Sequence, residues 1–498
     1  MSNIPLPGFG TKPVSVLWDD TILSIVNPFS ALEKTMCIYE KRMVANEESP
    51  WIRDIKRTRR DLFNVISESS PRVLQTYHGL LEHVKEVCAQ HGVPCKVYDK
   101  RLEFAKPQYS LMHGFRFSQE ELLIQGLVQN KSGLIGAPTR FGKTALLINT
   151  ARAYPGLVTV ITQPGADLTS QMYEAVKKCF PHRKVAKIGA GSKQKFCEDL
   201  NVVSMDSLDK CDFGRTELIL IDEPHALVTD KRLGFINQFT KARRIGFGAT
   251  LKGRFDGRDK LIEAVVGPVL AERTYTEAVA EGAICPLVVF CLRINIPWSE
   301  TCGTRDAAYN RYLFKSSEMA ALTARICHEV FPKDWQTLVF IKHEKQAELY
   351  KEAMGKDGTI AMAKRLTKKE RDHLFELMQA DKVKRCLASN IYAQGVTFSQ
   401  IRAIINCEGG GDNTTAIQKP GRLAEIIEGK KIGVIVDYLF DCPEVALKEL
   451  TRDDYDNREW LNIVRDSRNR IKAYKAKGYE IVECENTTEL AEEINKRV

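Results

Sequence analysis

The chain has 498 residues, more than one hydrophobic core can serve, so we expect two to four domains. Its 44% hydrophobic and 28% charged residues are typical of a soluble globular protein, and no apolar run is long enough to span a bilayer. The 14 cysteines never form a Cys-x-x-Cys pair, which argues against zinc ribbons, and the length of the chain argues against a disulfide scaffold. The N-terminal residues lack a basic region followed by an apolar block, so we expect no signal peptide.

Positive charge is concentrated in two clusters, within a net charge of +9 that is compatible with a polyanionic partner. The N-terminal cluster consists of Arg53, Lys56, Arg57, Arg59 and Arg60. The C-terminal cluster consists of Arg465, Arg468, Arg470, Lys472, Lys475 and Lys477. Each cluster is interpreted either as a solvated face or as a nucleic-acid-binding surface.

Short apolar runs alternate with amphipathic stretches through the middle of the chain. The first series of runs covers residues 133–135, 157–162, 201–204, 217–221 and 244–248, and the second covers 337–341, 359–361, 385–388, 403–405 and 432–436. Continuous apolar runs predict strands covered on both faces, and the alternation predicts parallel α/β sheets. We therefore expect an accessory domain at 1–112, two α/β domains at 113–284 and 285–450, and a basic extension at 451–498.

A glycine-containing loop follows the first of these predicted strands and precedes a helical stretch. Its residues are Pro138, Thr139, Arg140, Phe141, Gly142, Lys143 and Thr144. A tight loop at a helix N-terminus offers backbone N–H groups to phosphates. Lys143 would reach the β- and γ-phosphates of ATP, and the Thr144 hydroxyl would bind Mg²⁺.

Two carboxylates end the apolar run at residues 218–221. Parallel strands place their carboxyl ends at one sheet edge, so Asp222 and Glu223 should lie near the glycine-containing loop. Asp222 would hold the Mg²⁺ shell, and Glu223 would orient and deprotonate the attacking water.

In this order and spacing, the series resembles superfamily 2 helicases of the DExH type. Arg116 and Gln119 resemble the Arg-x-x-Gln element ahead of the phosphate loop, with Gln119 contacting adenine. Residues 163–171, with Pro164 and Gln171, and residues 203–208, with Ser204, resemble the elements that contact the nucleic-acid strand. Residues 248–250 stand where the family couples ATP to nucleic acid. The resemblance implies two tandem RecA-like domains, a small N-terminal α+β domain and a short C-terminal extension.

The second half of the chain carries the remaining helicase elements. Residues 338–340 resemble motif IV, and residues 388–397 resemble motif V, in which Gly395 would contact nucleotide and Thr397 nucleic acid. Gln418 and Arg422 resemble motif VI, which in the family completes the ATP site.

Two departures from the family pattern affect the expected chemistry. Arg140 stands where the phosphate loop usually has glycine. Glu425 replaces the arginine that motif VI supplies to the γ-phosphate, so Arg422 would serve alone or Lys430 or Lys431 would take over. Arginine fingers contribute about 10³–10⁵ in rate in related phosphoryl transfers.

Three stretches, residues 253–286, 421–437 and 467–479, carry a narrower resemblance within the superfamily. In these stretches the chain resembles the subgroup around the phage recombination helicase UvsW more than XPB or RecG. The resemblance implies a cytoplasmic helicase or translocase (in the host cytoplasm if phage-encoded) that uses ATP and Mg²⁺. Its partner would be duplex, forked or branched DNA in recombination, repair or replication. Three alternatives stay open: an ATP-gated binding module with weak hydrolysis, an RNA substrate, or the translocating part of a nuclease complex.

Overall fold

The computed structural model of the chain describes residues 12–19, 22–45, 53–249, 251, 258–300, 304–362, 366–389, 400–411, 420–444, 458 and 460–498, without the side chains of residues 41–45, 53–55, 368, 371 and 422. The chain divides into two compact units, Met1–Thr274 and Tyr275–Val498. The four-part division at residues 112, 284 and 450 stays a prediction.

The N-terminal part of the first unit is a small α+β region. Its strands are β1 (Val14–Trp18), β2 (Ile22–Val26), β3 (Cys37–Ala45), β4 (Arg53–Asp61), β5 (Phe63–Ser67), β6 (Val73–Tyr77) and β7 (Cys95–Asp99), and its helices are α1 (Ser30–Thr35) and α2 (Leu81–Gln90). A mixed sheet has the order β5-β6-β2-β1-β7, and β3 and β4 form a separate antiparallel ribbon. Alternating burial along β2 and β6 shows that this sheet packs one face on the core.

The rest of the first unit is a parallel α/β domain. Its strands are β8 (Gly133–Gly136), β9 (Thr159–Gln163), β10 (Val185–Ile188), β11 (Leu200–Ser204), β12 (Leu218–Asp222), β13 (Arg243–Gly248) and β14 (Val269–Glu272). Its helices are α3 (Gln119–Leu127), α4 (Lys143–Ala153), α5 (Ala166–Cys179), α6 (Asp230–Gln238) and α7 (Asp259–Val266). The strand order is β10-β11-β9-β12-β13-β8-β14, with every pair parallel, so all carboxyl ends lie at one edge.

The second unit repeats this architecture. Its strands are β15 (Leu287–Asn295), β16 (Gln336–Phe340), β17 (Gly358–Ala361), β18 (Arg385–Ala388), β19 (Ile401–Asn406), β20 (Gly433–Asp441) and β21 (Glu480–Cys484). Its helices are α8 (Tyr275–Ala280), α9 (Arg305–Tyr309), α10 (Ser317–Arg325), α11 (Glu344–Met354), α12 (Lys368–Gln379), α13 (Leu461–Ala476) and α14 (Thr487–Asn495). The parallel sheet has the order β17-β18-β16-β19-β20-β15-β21.

The predicted fold class is confirmed: two tandem RecA-like parallel sheets follow a small α+β region. Each of the ten apolar runs coincides with a strand, because central parallel strands such as β9, β11 and β16 are buried along their whole length. The C-terminal segment contributes β21, which extends the second sheet by pairing with β15.

Candidate functional site

The glycine-containing loop connects β8 to α4 at the carboxyl edge of the first sheet. Arg140 and Gly142 adopt positive φ angles of 74° and 98°, and Gly142 is the N-cap of α4. The Phe141 N–H donates to the Pro138 carbonyl at 3.2 Å, which closes a turn within the loop. Left-handed residues in a turn before a helix make a concave array of N–H groups, which is suited to anions.

Gln119 supports this loop from below. Its side-chain amide donates to the Phe141 carbonyl, while its Oε1 accepts the Arg116 N–H at 2.9 Å. A Cβ added at Gly142 would run into Gln119 Nε2, so both the space and the backbone angle favour glycine there. The structure therefore brings Gln119 against the glycine-containing loop, whereas the Arg116 side chain is exposed.

The acidic pair ends β12 at the same sheet edge as the loop. Glu223 adopts a φ of 53° and its N–H donates to the Phe247 carbonyl at 2.9 Å, which turns the chain sharply after Asp222. Lys143 Nζ lies 3.4 Å from Glu223 Oε1, and His225 Nδ1 lies 3.2 Å from Glu223 Oε2. Lys143 and Glu223, 80 positions apart in the sequence, thus form an ion pair.

Burial and neighbouring charges shift the pKa values of Asp222 and Glu223 in opposite directions. Burial, together with the neighbouring Glu223 carboxylate, raises the pKa of Asp222 to about 6, although Lys143 opposes this shift. Burial also disfavours the ionised form of Glu223, but Lys143 and His225 outweigh this effect and lower its pKa. Glu223 is therefore held as the carboxylate, the form that can accept a proton.

These residues fit a nucleoside triphosphate with Mg²⁺. The loop N–H groups and the N-terminus of α4 suit phosphates. Lys143, at the first helical position, would leave Glu223 and bind the phosphates instead. Thr144 is exposed at the second position of α4, so its hydroxyl and Asp222 would hold Mg²⁺. In the described ranges, no group of three or more His, Cys, Asp or Glu side chains has metal-binding geometry.

The predicted strand-contacting residues of the first unit lie at this carboxyl edge or just beyond it. Pro164 follows β9, and the next residue, Gly165, has a φ of 89° and caps α5. Ser204 ends β11 and is buried. Gln171 lies on α5 and is exposed. Because β9 and β11 are paired and parallel, Pro164 and Ser204 lie close together at the same edge of the sheet.

The predicted site residues of the second unit are only partly described. Gly395, Thr397 and Gln418, like Thr250 of the first unit, lie outside the described residues. Arg422 lies in a 3₁₀ helix, Pro420–Ala424, but its side chain is outside the description.

The two lysines expected to replace the missing arginine are occupied by backbone oxygens. Lys430 Nζ donates to the carbonyls of Ile401 at 3.0 Å and Glu425 at 3.3 Å, as well as to that of Leu423. Lys431 Nζ donates to Val498 O at 3.2 Å. Both ammonium groups thus donate to backbone oxygens in this structure, and the alternative that either lysine reaches a nucleotide stays a prediction.

A groove at the carboxyl edge of the second sheet was missed in the sequence. Its cavity measures about 780 Å³, and its lining carries both signs of charge: Lys315, Lys342, Lys345, Asp306, Glu344 and Glu408. Lys342 and His343 lie between β16 and α11, and Lys345 lies in the first turn of α11. The signal was the Lys-His-Glu-Lys sequence immediately after the motif IV strand, a position where cations can contact phosphates.

The C-terminal basic cluster is not a uniform solvated face. Arg470 is 3% exposed and forms two charge-assisted hydrogen bonds with the buried Asp437. Arg468 pairs with Asp441 at 2.7 Å. Arg470 is therefore excluded from the nucleic-acid-binding surface, because its donors are already bound inside the unit.

Two family models match the chain in the order of the two parallel sheets. The model described as "Type III restriction enzyme, res subunit" matches residues 101–253, and "Helicase conserved C-terminal domain" matches residues 322–426. Together with the fold, these matches show that the chain belongs to the ATP-dependent helicases of superfamily 2.

Curated relatives carry helicase names but match only in part. Putative helicase 22 of Sulfolobus islandicus filamentous virus is 20% identical over 50% of this chain and 47% of its own length. Putative ATP-dependent helicase IRC3 of Saccharomyces cerevisiae is 23% identical over 55% of this chain and 42% of its own length. The chain thus spans less than half of either relative.

Solved structures share the fold. The ATP-dependent Type ISP restriction-modification enzyme LlaBIII bound to DNA is 14% identical, with a TM-score of 0.53 over 83% of this chain and 35% of that one. T4 UvsW is 16% identical, with a TM-score of 0.40 over 95% of this chain and 99% of that one. Among the described residues, no helix combines the length and apolar content needed to cross a bilayer.

Proposed function

We propose that this helicase-family chain is an ATP-driven motor that translocates on, or unwinds, duplex or branched DNA in recombination, repair or replication. The observation that carries the proposal is the Lys143–Glu223 pair, held at the sheet edge beside a loop suited to phosphates. A cation and an acceptor carboxylate side by side are the two groups that triphosphate binding and water activation require.

Each residue of this site has a separate role in the proposal. Lys143 and the loop N–H groups bind the phosphates, while Thr144 and Asp222 hold Mg²⁺, which neutralises charge on the phosphate oxygens. Glu223, released from Lys143, orients the attacking water and accepts its proton. ATP supplies the free energy for strand movement.

The nucleic acid is proposed to bind along the carboxyl edges of the sheets. Pro164, Gln171 and Ser204 supply contacts in the first unit, and Lys342 and Lys345 supply them in the second. Helix starts and lysines contact phosphates without selecting a base sequence. The alternative of a nucleotide-gated binding module is not favoured, because the matched families and curated relatives are named as helicases or restriction-enzyme subunits.

Lys143→Ala tests the proposal directly. We expect ATP turnover by the wild type to rise with DNA, and Lys143→Ala to abolish it, because the variant lacks the cation at the phosphates. Steady-state phosphate release is measured with single-stranded, duplex, forked and four-way DNA, and with RNA of the same sequence.

Lys177→Ala is the matched control, since Lys177 is an exposed lysine in the last turn of α5. This variant should keep wild-type turnover. Equal turnover by Lys143→Ala and the wild type would refute the assignment of the site, and stimulation by RNA alone would move the substrate from DNA to RNA.

A further inference from the structure

The β3–β4 ribbon is an arm of the first unit that belongs to neither of its larger sheets. Its two nine-residue strands pair in unbroken antiparallel register, from Cys37 opposite Asp61 to Ala45 opposite Arg53. Nine residues of antiparallel strand extend about 30 Å. Two-stranded ribbons of this kind are marginally stable alone, so the position of this one must be set by contacts at its base.

Ion pairs around the buried Glu40 hold the base of the ribbon. Glu40, which is 4% exposed, accepts hydrogen bonds from Arg60 and Arg258, each at 3.0 Å. Arg60 also donates to Asp230 at 2.6 Å. Because Arg258 and Asp230 belong to the α/β domain, the ribbon is fixed to the domain that carries the phosphate loop.

Beyond this base, basic residues occupy facing positions of the register. Lys41 lies opposite Arg57, and Arg42 lies opposite Lys56. The Lys56 and Arg57 side chains are exposed. Exposed basic side chains on an arm that is fixed to the α/β domain suit an anionic partner.

We propose that this ribbon binds the major groove of a B-form DNA duplex, with Lys56 and Arg57 contacting phosphates. The major groove of B-form DNA, about 12 Å wide, admits a two-stranded β-ribbon. The major groove of A-form RNA is too deep and narrow for this mode. The inference rests on the proposed function for a nucleic-acid partner, and it selects duplex DNA over duplex RNA.

The test compares Lys56→Ala/Arg57→Ala with the control Lys177→Ala/Lys178→Ala, which removes the same charge from exposed positions on α5. Fluorescence anisotropy without nucleotide gives Kd values for a 20-bp DNA duplex and an RNA duplex of the same sequence at several salt concentrations. We expect the ribbon variant to lower the salt slope for DNA by about 2 and to weaken DNA binding roughly 10- to 60-fold at 0.1 M salt. RNA binding and the control variant should change less than about threefold.

Thermal unfolding separates this role from a structural one. The ribbon variant should unfold at about the same temperature as the wild type, because both substituted side chains are exposed. Unchanged DNA affinity, or equal weakening for DNA and RNA duplexes, would overturn the inference. The assay is independent of ATP hydrolysis, so an inactive wild-type ATPase would refute the motor proposal without affecting this result.

Discussion

Arg470→Met perturbs the best-defined buried ion pair of the second unit. Arg470 Nε and Nη2 donate to the two Asp437 oxygens at 2.9 and 2.7 Å, and both side chains are at most 4% exposed. Arg470 also donates to the carbonyls of Gly410 and of Tyr438, the latter at 3.2 Å. One guanidinium therefore connects α13, β20 and the loop after β19.

The expected loss in the free energy of unfolding follows from the buried Asp437 carboxylate, which the substitution leaves without its cation. Removing one partner of a buried pair costs about 3–5 kcal/mol, because the other charge stays buried. Asp437 would keep hydrogen bonds from Tyr474 at 2.9 Å and Asn406 at 3.1 Å, so we expect about 3 kcal/mol. The double variant Arg470→Met/Asp437→Asn removes the uncompensated charge and should be more stable than Arg470→Met alone.

Urea unfolding followed by tryptophan fluorescence measures this difference. Three of the five tryptophans, Trp298, Trp335 and Trp460, lie in the second unit, so the signal reports mainly on that unit. With m values of about 1–3 kcal/mol per M, a loss of 3 kcal/mol lowers the midpoint by roughly 1–3 M. Arg468→Met, which breaks a half-exposed pair, should cost less than about 1 kcal/mol. A loss below about 1 kcal/mol for Arg470→Met, or a double variant less stable than Arg470→Met, would refute the reasoning.

Two further predictions concern the nucleotide site. Gly142→Ala places a side chain at a φ of 98° and against Gln119, so we expect about 1–2 kcal/mol of local strain. Equilibrium titration should therefore show at least tenfold weaker ATP binding. Unchanged affinity would show that the loop backbone relaxes freely. Glu425→Arg restores the family's arginine, and we expect at least a tenfold rise in steady-state ATP turnover. No rise would show that hydrolysis does not depend on this position, and Glu425→Gln controls for loss of the carboxylate alone.

Most central strands were predictable because their burial is continuous, but β15 was missed although it is buried at six consecutive positions. β12 is apolar at four consecutive positions, and no amphipathic alternative competes with that run. The edge strand β10 was missed, because its four residues alternate between buried and half-buried and include a lysine. Strand β21 was missed for a different reason. Its parallel partner, β15, lies almost 200 positions earlier in the sequence, so the local sequence does not indicate the pairing.

One part of the candidate site could also be predicted from the sequence, and another part could not. Lys143 and Glu223 follow apolar runs that fix their place at the sheet edge, so their proximity could be expected from topology. The contact between Gln119 and the Phe141 carbonyl depends on side-chain orientation, which the spacing of motifs does not specify. The bonds from Lys430 to backbone carbonyls depend on how the 3₁₀ helix after residue 419 is closed, and local sequence says nothing about that.

The arginines of α13 show why charge spacing was a poor guide to function in this chain. The loop of residues 409–411 is packed against side chains from α9 and α13: a Cβ at its first glycine would meet the Tyr309 ring, and one at its third would meet Asp466. The Tyr309 hydroxyl accepts the middle glycine's N–H at 2.8 Å and donates to Asp466, while Arg470 holds that glycine's carbonyl. Helix α13 therefore contacts the loop of residues 409–411 through buried polar groups. One of these groups is the guanidinium of Arg470, which lies inside the unit and not on a ligand-binding surface. Substitutions of these buried residues should therefore lower stability while leaving the salt slope of DNA binding unchanged, which is the opposite of the result expected for the ribbon.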